Sequence, residues 1–131
     1  MISQKEFDEL QTNWCNNLID NFKQKIITCS YGRASKIVAI YLKTSVILPA
    51  KGDGNVCDII HSPIDGILLK CLSEKVDGLK SLSKMRWTQF DEKDYWNLVE
   101  LLRAKNLPLN WRLEEYWKPE KEKQTKEEGF L

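Results

Sequence analysis

Ser30-Tyr31-Gly32-Arg33-Ala34-Ser35-Lys36-Ile37-Val38-Ala39-Ile40-Tyr41-Leu42-Lys43, running on to Leu48, is the stretch whose reading decides the fold. Val38, Ile40, Val46 and Ile47 are β-branched, so strand and helix compete for it. Length decides for helix, because strands rarely exceed about ten residues. The apolar run is nearly continuous, which predicts a helix buried on most of its sides. Cys29-Ser30-Tyr31-Gly32 supplies the turn before it, since Ser caps helices and Gly tolerates positive φ. At about 100° per residue, Arg33, Lys36, Ile40 and Lys43 share one stripe. The expected picture is a central helix with one basic seam.

The flanking segments read as further helices. Ser3-Gln4-Lys5-Glu6 fits a capping box, a hydroxyl followed three residues later by a carboxylate. Phe7, Leu10, Trp14, Leu18 and Phe22 then recur at helical spacing, with Cys15 and Ile19 beside them, which predicts an amphipathic helix of about five turns. Lys23 to Thr28 continues it weakly or breaks it. Pro49 to Asn55 is a loop by its Pro and Gly content, and Val56 to Ile60 is a short apolar approach. Ser62-Pro63-Ile64-Asp65 predicts the next helix start. Ser62 serves as N-cap, Pro63 takes the first helical position, and Asp65 faces the helix dipole from the third. Ile64, Ile67, Leu68, Cys71 and Leu72 carry that helix to about Ser73.

Lys75 to Arg86 is polar, with room for a short helix. Thr88 or Asp91 caps a fourth long helix, with Tyr95, Leu98, Val99 and Leu102 facing inward, and Asn106-Leu107-Pro108 ends it. A short fifth helix covers about Asn110 to Trp117. The expectation is an all-α, single-domain orthogonal bundle of four to five helices over residues 1–117. Residues 118–131, rich in Lys and Glu, form a charged tail expected to be disordered.

Composition narrows the function classes. The chain has 131 residues, room for one hydrophobic core. Net charge is +1, so no bulk electrostatic argument points to nucleic acid or membrane. The distribution is more informative. From Asn21 to Lys51 there is no Asp or Glu, while Lys23, Lys25, Arg33, Lys36, Lys43 and Lys51 are present. Cys15, Cys29, Cys57 and Cys71 form no Cys-x-x-Cys pair and His61 is the sole histidine, which is poor spacing for zinc. No metal or cofactor is expected, and the cysteines read as reduced thiols of a cytoplasmic protein. No signal peptide is evident and no apolar run approaches about 20 residues, so no membrane association is expected.

Several residues could carry chemistry. Lys36, beside a buried helix start, could act as an amine nucleophile, and an ordinary solvated lysine is the simpler reading. Asp65 could be a general base or charge stabiliser, and stabilising the start of its helix is the simpler reading, which accounts for it fully. His61 could contact a phosphate, move a proton or hydrogen-bond a carbonyl. Arg33, Lys36 and Lys43, with the free amides of the helix beginning near Gly32, could hold an anion. Trp14 and Trp87 are expected in the core. Trp96, Trp111 and Trp117 cannot all face inward on helical spacing, which suggests a protein-partner surface or a base-stacking platform.

Two segments together, Tyr31-Gly32-Arg33-Ala34-Ser35-Lys36-Ile37-Val38-Ala39 and His61-Ser62-Pro63-Ile64-Asp65-Gly66-Ile67-Leu68-Leu69-Lys70, resemble the core of helix-hairpin-helix DNA glycosylases. The resemblance implies an all-α fold. It places the family's catalytic lysine at Lys36, which would attack the deoxyribose C1′ as the damaged base leaves, and the assisting aspartate at Asp65. The chain departs from the family in keeping only Gly32 of the hairpin, in a longer interval between Lys36 and Asp65, and in lacking an iron–sulfur cysteine cluster. The implied function is a small nucleic-acid-associated helical module, a degenerate glycosylase-like protein with DNA or another phosphate-bearing ligand at Arg33, Lys36, Lys43 and His61. Two other readings stay open: a protein-interaction subunit using Trp96, Trp111 and Trp117, and an active lysine-nucleophile glycosylase or lyase.

Overall fold

A computed structural model describes residues 2–107 and 109–118. All regular structure among them is helical. Five α-helices, α1 (Gln4–Gln24), α2 (Tyr31–Leu42), α3 (Asn55–Ile59), α4 (Gly66–Lys75) and α5 (Glu92–Ala104), are joined by shorter 3-10 turns at Lys80–Lys84, Trp87–Gln89 and Trp111–Tyr116. The all-α reading holds. The charged tail expected from residue 118 falls, beyond Lys118, outside the described residues.

Local chemistry explains most boundaries. Ser3 and Glu6 form the expected capping box: Ser3 Oγ accepts from the Glu6 amide and Glu6 Oε1 from the Ser3 amide, both at 3.1 Å. Phe7, Gln11 and Cys15, four residues apart, are the buried stripe of α1. Trp14 is not core: it is 37% exposed, one position off that stripe. The helix closes at Ile26, which takes a left-handed φ of 60° while the Ile27 amide reaches back to the Phe22 carbonyl at 2.8 Å. Ser30 caps α2 through the Arg33 amide.

Two expectations are corrected. First, α2 is not buried on most sides. Tyr31, Gly32, Ala34, Ser35, Val38 and Ala39 are covered, whereas Ile37, Ile40 and Tyr41 are exposed. The covered face is mostly small residues, which lets the backbone of Trp87–Phe90 approach, and the Gly32 amide donates to the Phe90 carbonyl at 3.1 Å. Past Leu42 the helix widens into a π-turn over Lys43–Ile47. There Thr44 Oγ1 turns back onto the Ile40 and Tyr41 carbonyls, the kind of bond that bends helices. Second, Ser62 does not cap the next helix. Asp65 does, its Oδ1 accepting from the Leu68 amide at 2.8 Å, so α4 begins at Gly66. Ser62 is buried and its hydroxyl donates to the Pro63 carbonyl. Asp91 rather than Thr88 caps α5, in a reciprocal box with Asp94.

The main core joins Cys15 of α1, Tyr31, Ala34 and Val38 of α2, Leu68, Leu69 and Leu72 of α4, Leu79, Leu82 and Phe90, the Tyr95, Leu98, Val99 and Leu102 face of α5, and Leu113. Truncating any one fully buried leucine here should cost about 2–5 kcal/mol. A second, smaller cluster joins Phe7 of α1, Ile47 of the π-turn, and Cys57, Ile59 and Ile60. The α2–α3 loop is seated by Gly52, whose left-handed backbone leaves just the space that the Trp111 ring fills.

Candidate functional site

The structure brings Lys36 and Asp65 together. Lys36 leaves the second turn of α2 beside the Trp87 indole, with Nζ 4.7 Å from the ring centroid, within cation–π range. Asp65 arrives at the N-terminus of α4. Its two oxygens divide the work. Oδ1 caps the helix, and Oδ2 lies 3.9 Å from Lys36 Nζ and accepts from Trp117 Nε1 at 3.2 Å. Ile40, Lys43, Pro63 and Glu114 complete an open cleft of about 240 Å³ with these two residues and Trp117. Both charged groups keep contact with water, with 30% of the Lys36 side chain and 24% of Asp65 exposed. Each group is thus partly open to water, while Trp117 holds the Asp65 oxygen that faces the cleft.

The basic seam is balanced by acids that lie far away in sequence. Lys43 Nζ meets Glu114 Oε2 at 2.7 Å, and Lys36 faces Asp65. Arg33 is exposed and does not line this cleft. The α2 start is also less open to an anion than expected. The Gly32 amide is taken by the Phe90 carbonyl and the Arg33 amide by Ser30 Oγ.

His61 lies apart from the seam, and its assignment as a phosphate contact is corrected. Its side chain is fully enclosed, with Nδ1 2.6 Å from the Tyr95 hydroxyl and Nε2 2.8 Å from Asp8 Oδ1. Arg103 grips the same carboxylate, Nη1 reaching Oδ2 at 2.9 Å. Burial lowers the His61 pKa against the pull of Asp8. The ring is then neutral, accepting a hydrogen bond from the Tyr95 hydroxyl at Nδ1 and donating one from Nε2 to Asp8. This chain of polar groups ties α1, α5 and the segment before α4 together, and no free edge of the imidazole remains for a ligand.

The tryptophans divide as well. Trp96 packs on the core and meets His61 and Tyr95 edge-on, and Trp111 is packed against the smaller cluster. Neither is the exposed partner residue expected. Trp117 is exposed, and it borders the Lys36 cleft. Trp14 joins Leu18, Ile37, Val38, Tyr41 and Leu42 around an apolar groove of about 410 Å³ between α1 and α2. That groove escaped the sequence reading because its two walls were both assigned to the core.

Cys15 and Cys57 are buried and free, and burial pushes the Cys15 thiol up to about 12, so it behaves as a small apolar side chain. Among the described residues no three His, Cys, Asp or Glu side chains gather as a metal site requires. No helix among them is long and apolar enough to cross a membrane. Comparison with protein-family models, with curated proteins and with solved structures finds no match.

Proposed function

We propose that this chain is a nucleic-acid-associated helical module, similar to the helix-hairpin-helix DNA glycosylases, whose cleft between α2 and α4 handles a single nucleotide drawn out of a strand. One observation supports it above the others: the Lys36 amine, over the Trp87 ring, and the Asp65 carboxylate converge at 3.9 Å on an open cleft that Trp117 lines. An amine beside a proton acceptor is the pairing that addition to a sugar aldehyde needs. With an abasic sugar, Asp65 takes a proton from the Lys36 ammonium and the freed amine adds to C1′, its own proton moving to the aldehyde oxygen to give a carbinolamine. Asp65 then returns its proton to that hydroxyl, which leaves as water, and a protonated imine joins the chain to DNA. Lys43 supplies positive charge for a flanking phosphate once its pair with Glu114 opens.

Borohydride tests the reading by reducing the imine to a stable amine. Wild-type protein mixed with a duplex containing one abasic site should yield a covalent adduct, and Lys36→Ala should abolish it. An adduct that persists in Lys36→Ala, or none under any condition, sinks the catalytic part. Association itself is read separately. Binding should weaken steeply with salt, and Lys36→Glu combined with Lys43→Glu should flatten that slope.

A separate observation favours a second reading, a protein-interaction subunit. The α1–α2 groove leaves Trp14, Ile37 and Tyr41 all exposed on one face. A stable dimer or hetero-complex that Trp14→Glu dissociates would support it, and a monodisperse monomer would count against it.

A further inference from the structure

The Lys36 cleft is partly filled by the chain itself. Past α5 the backbone returns across the molecule through the 3-10 turn Trp111–Tyr116. The root of this segment is firmly held. Leu113 is completely buried, and Asn110 spans the junction, its Nδ2 donating to the Asp58 carbonyl at 2.9 Å and its Oδ1 accepting from the Arg112 amide at 3.0 Å. Beyond Leu113 the contacts change character. Glu114 pairs with Lys43, Trp117 donates to Asp65, and the Lys118 backbone touches Cys71 Sγ at 3.4 Å. These contacts face water: Lys43 is 35% exposed, Glu114 30% and Trp117 41%. Exposed ion pairs and hydrogen bonds to sulfur hold little. Tyr116 still packs on the main core, so the root runs as far as that ring, and what is loosely held is the Glu114 side chain and the tip Trp117–Lys118.

The tip's chemistry is specific. Glu114 offers an anion to Lys43. Trp117 offers a planar ring bearing an N–H to Asp65 Oδ2, the one oxygen of that carboxylate not spent on capping α4.

We propose that the tip, made of the Glu114 side chain and Trp117–Lys118, is a displaceable internal occupant of the cleft, and that the ligand which displaces it carries the same two groups. These are an anionic group for Lys43 and a planar ring with an N–H donor for Asp65. A nucleotide unit has both. That choice of ligand rests on the reading above, whereas the displacement does not. While the tip is seated, the apparent affinity of the cleft is reduced by the fraction of molecules that are open. Releasing the tip therefore strengthens binding without adding a contact.

The double variant Glu114→Gln/Trp117→Phe tests this. It removes the charge and the N–H donor while keeping the shape at 114 and an aromatic ring at 117, and Trp117→Phe alone is the milder control should the pair lower the melting temperature. The first readout is the rate at which an acylating reagent modifies Lys36, measured by peptide mass spectrometry relative to exposed Lys5. It should rise about tenfold in the double variant and less in the single one. The second readout is affinity for a short single-stranded oligonucleotide and for free guanosine 5′-monophosphate, which should rise by a similar factor. Tightening for both probes means that a mononucleotide is enough, and tightening for the oligonucleotide alone means that the unit is read within a strand. Lys36 modification no faster than in wild type overturns the proposal, as does unchanged affinity for both probes. Faster modification and tighter binding with no borohydride adduct leave the internal occupant standing and remove the catalytic reading. An adduct with unchanged modification rates does the reverse.

Discussion

His61 Nε2 stands 2.8 Å from Asp8 Oδ1, with the imidazole closed to water and the carboxylate only partly so. The two groups make the fold sensitive to acid in the same direction. Burial alone would raise the Asp8 pKa, but hydrogen bonds from His61, Arg103 and Gln4 outweigh it and hold the carboxyl well below its usual range. Burial lowers the His61 pKa from its ordinary 6.5, with Asp8 opposing. Below about pH 6.5 the unfolded chain therefore takes up a proton at His61 that the folded chain refuses. Below about pH 4 it takes up another at Asp8. In both windows the unfolded state binds more protons, so stability falls as the pH falls. Thermal melts from pH 8 to pH 3 should show the melting temperature declining first below 6.5 and again below 4. His61→Gln should remove the upper decline and Asp8→Asn the lower one. A melting temperature independent of pH between 7 and 5 would show that His61 takes its proton as readily folded as unfolded.

What the sequence revealed follows the range of the interactions. Ser3 with Glu6 and the Asp91 cap act over three residues, so the first is legible outright and the second narrows to Thr88 or Asp91. The α4 start was misjudged because Pro63 fits either the first helical turn or the segment before it, and Asp65 caps as well at the N-cap as it would at the third position. The burial of α2 was misjudged because an apolar run does not say which of its faces is covered. The covered face is the small one, Gly32, Ala34, Ser35 and Ala39, where close backbone approach replaces side-chain bulk. The resemblance singles out Lys36 and Asp65 but leaves open whether they converge, which the structure shows at 3.9 Å. Glu114 and Trp117 reach the same cleft from 71 and 52 positions away from their partners, a pairing that no local pattern announces.

Gly32 is the most sensitive position in α2. A Cβ there would lie 1.9 Å from the Trp87 carbonyl oxygen and 3.1 Å from Phe90 Cβ. The obstacle is backbone, which cannot rotate away. Gly32→Ala should cost about 3 kcal/mol, the upper range for overpacking, measured by urea unfolding. It should also move the Trp87 ring from beneath Lys36 and so lower borohydride trapping beyond what stability explains. A cost below about 0.5 kcal/mol, within the spread of ordinary surface changes, would show that α2 and the Trp87 turn do not pack this closely.

Ile26 presents the opposite case. It holds a left-handed φ of 60° and is 96% exposed, so its side chain gains no burial to offset the conformation. That backbone costs a non-glycine residue about 1–2 kcal/mol. Glycine relieves the strain but loses more entropy on folding, up to about 1 kcal/mol. Ile26→Gly should therefore raise stability by about 0.5–1 kcal/mol, seen as a higher urea midpoint at unchanged slope. A lower midpoint would mean that the exposed isoleucine makes a contact in solution.

Asp65 carries two roles that one pair of variants separates. Asn caps a helix about as well as Asp, so Asp65→Asn should leave stability nearly unchanged. It replaces the carboxylate that faces Lys36 with a neutral amide, which cannot take a proton from the attacking amine. Asp65→Ala removes the cap as well and should cost about 1 kcal/mol. If the cleft works through its carboxylate, borohydride trapping at Lys36 should fall equally in both variants while urea midpoints fall only in the second. Trapping that survives in Asp65→Asn and drops in Asp65→Ala would show that Asp65 serves the cleft only by holding the start of α4 in place.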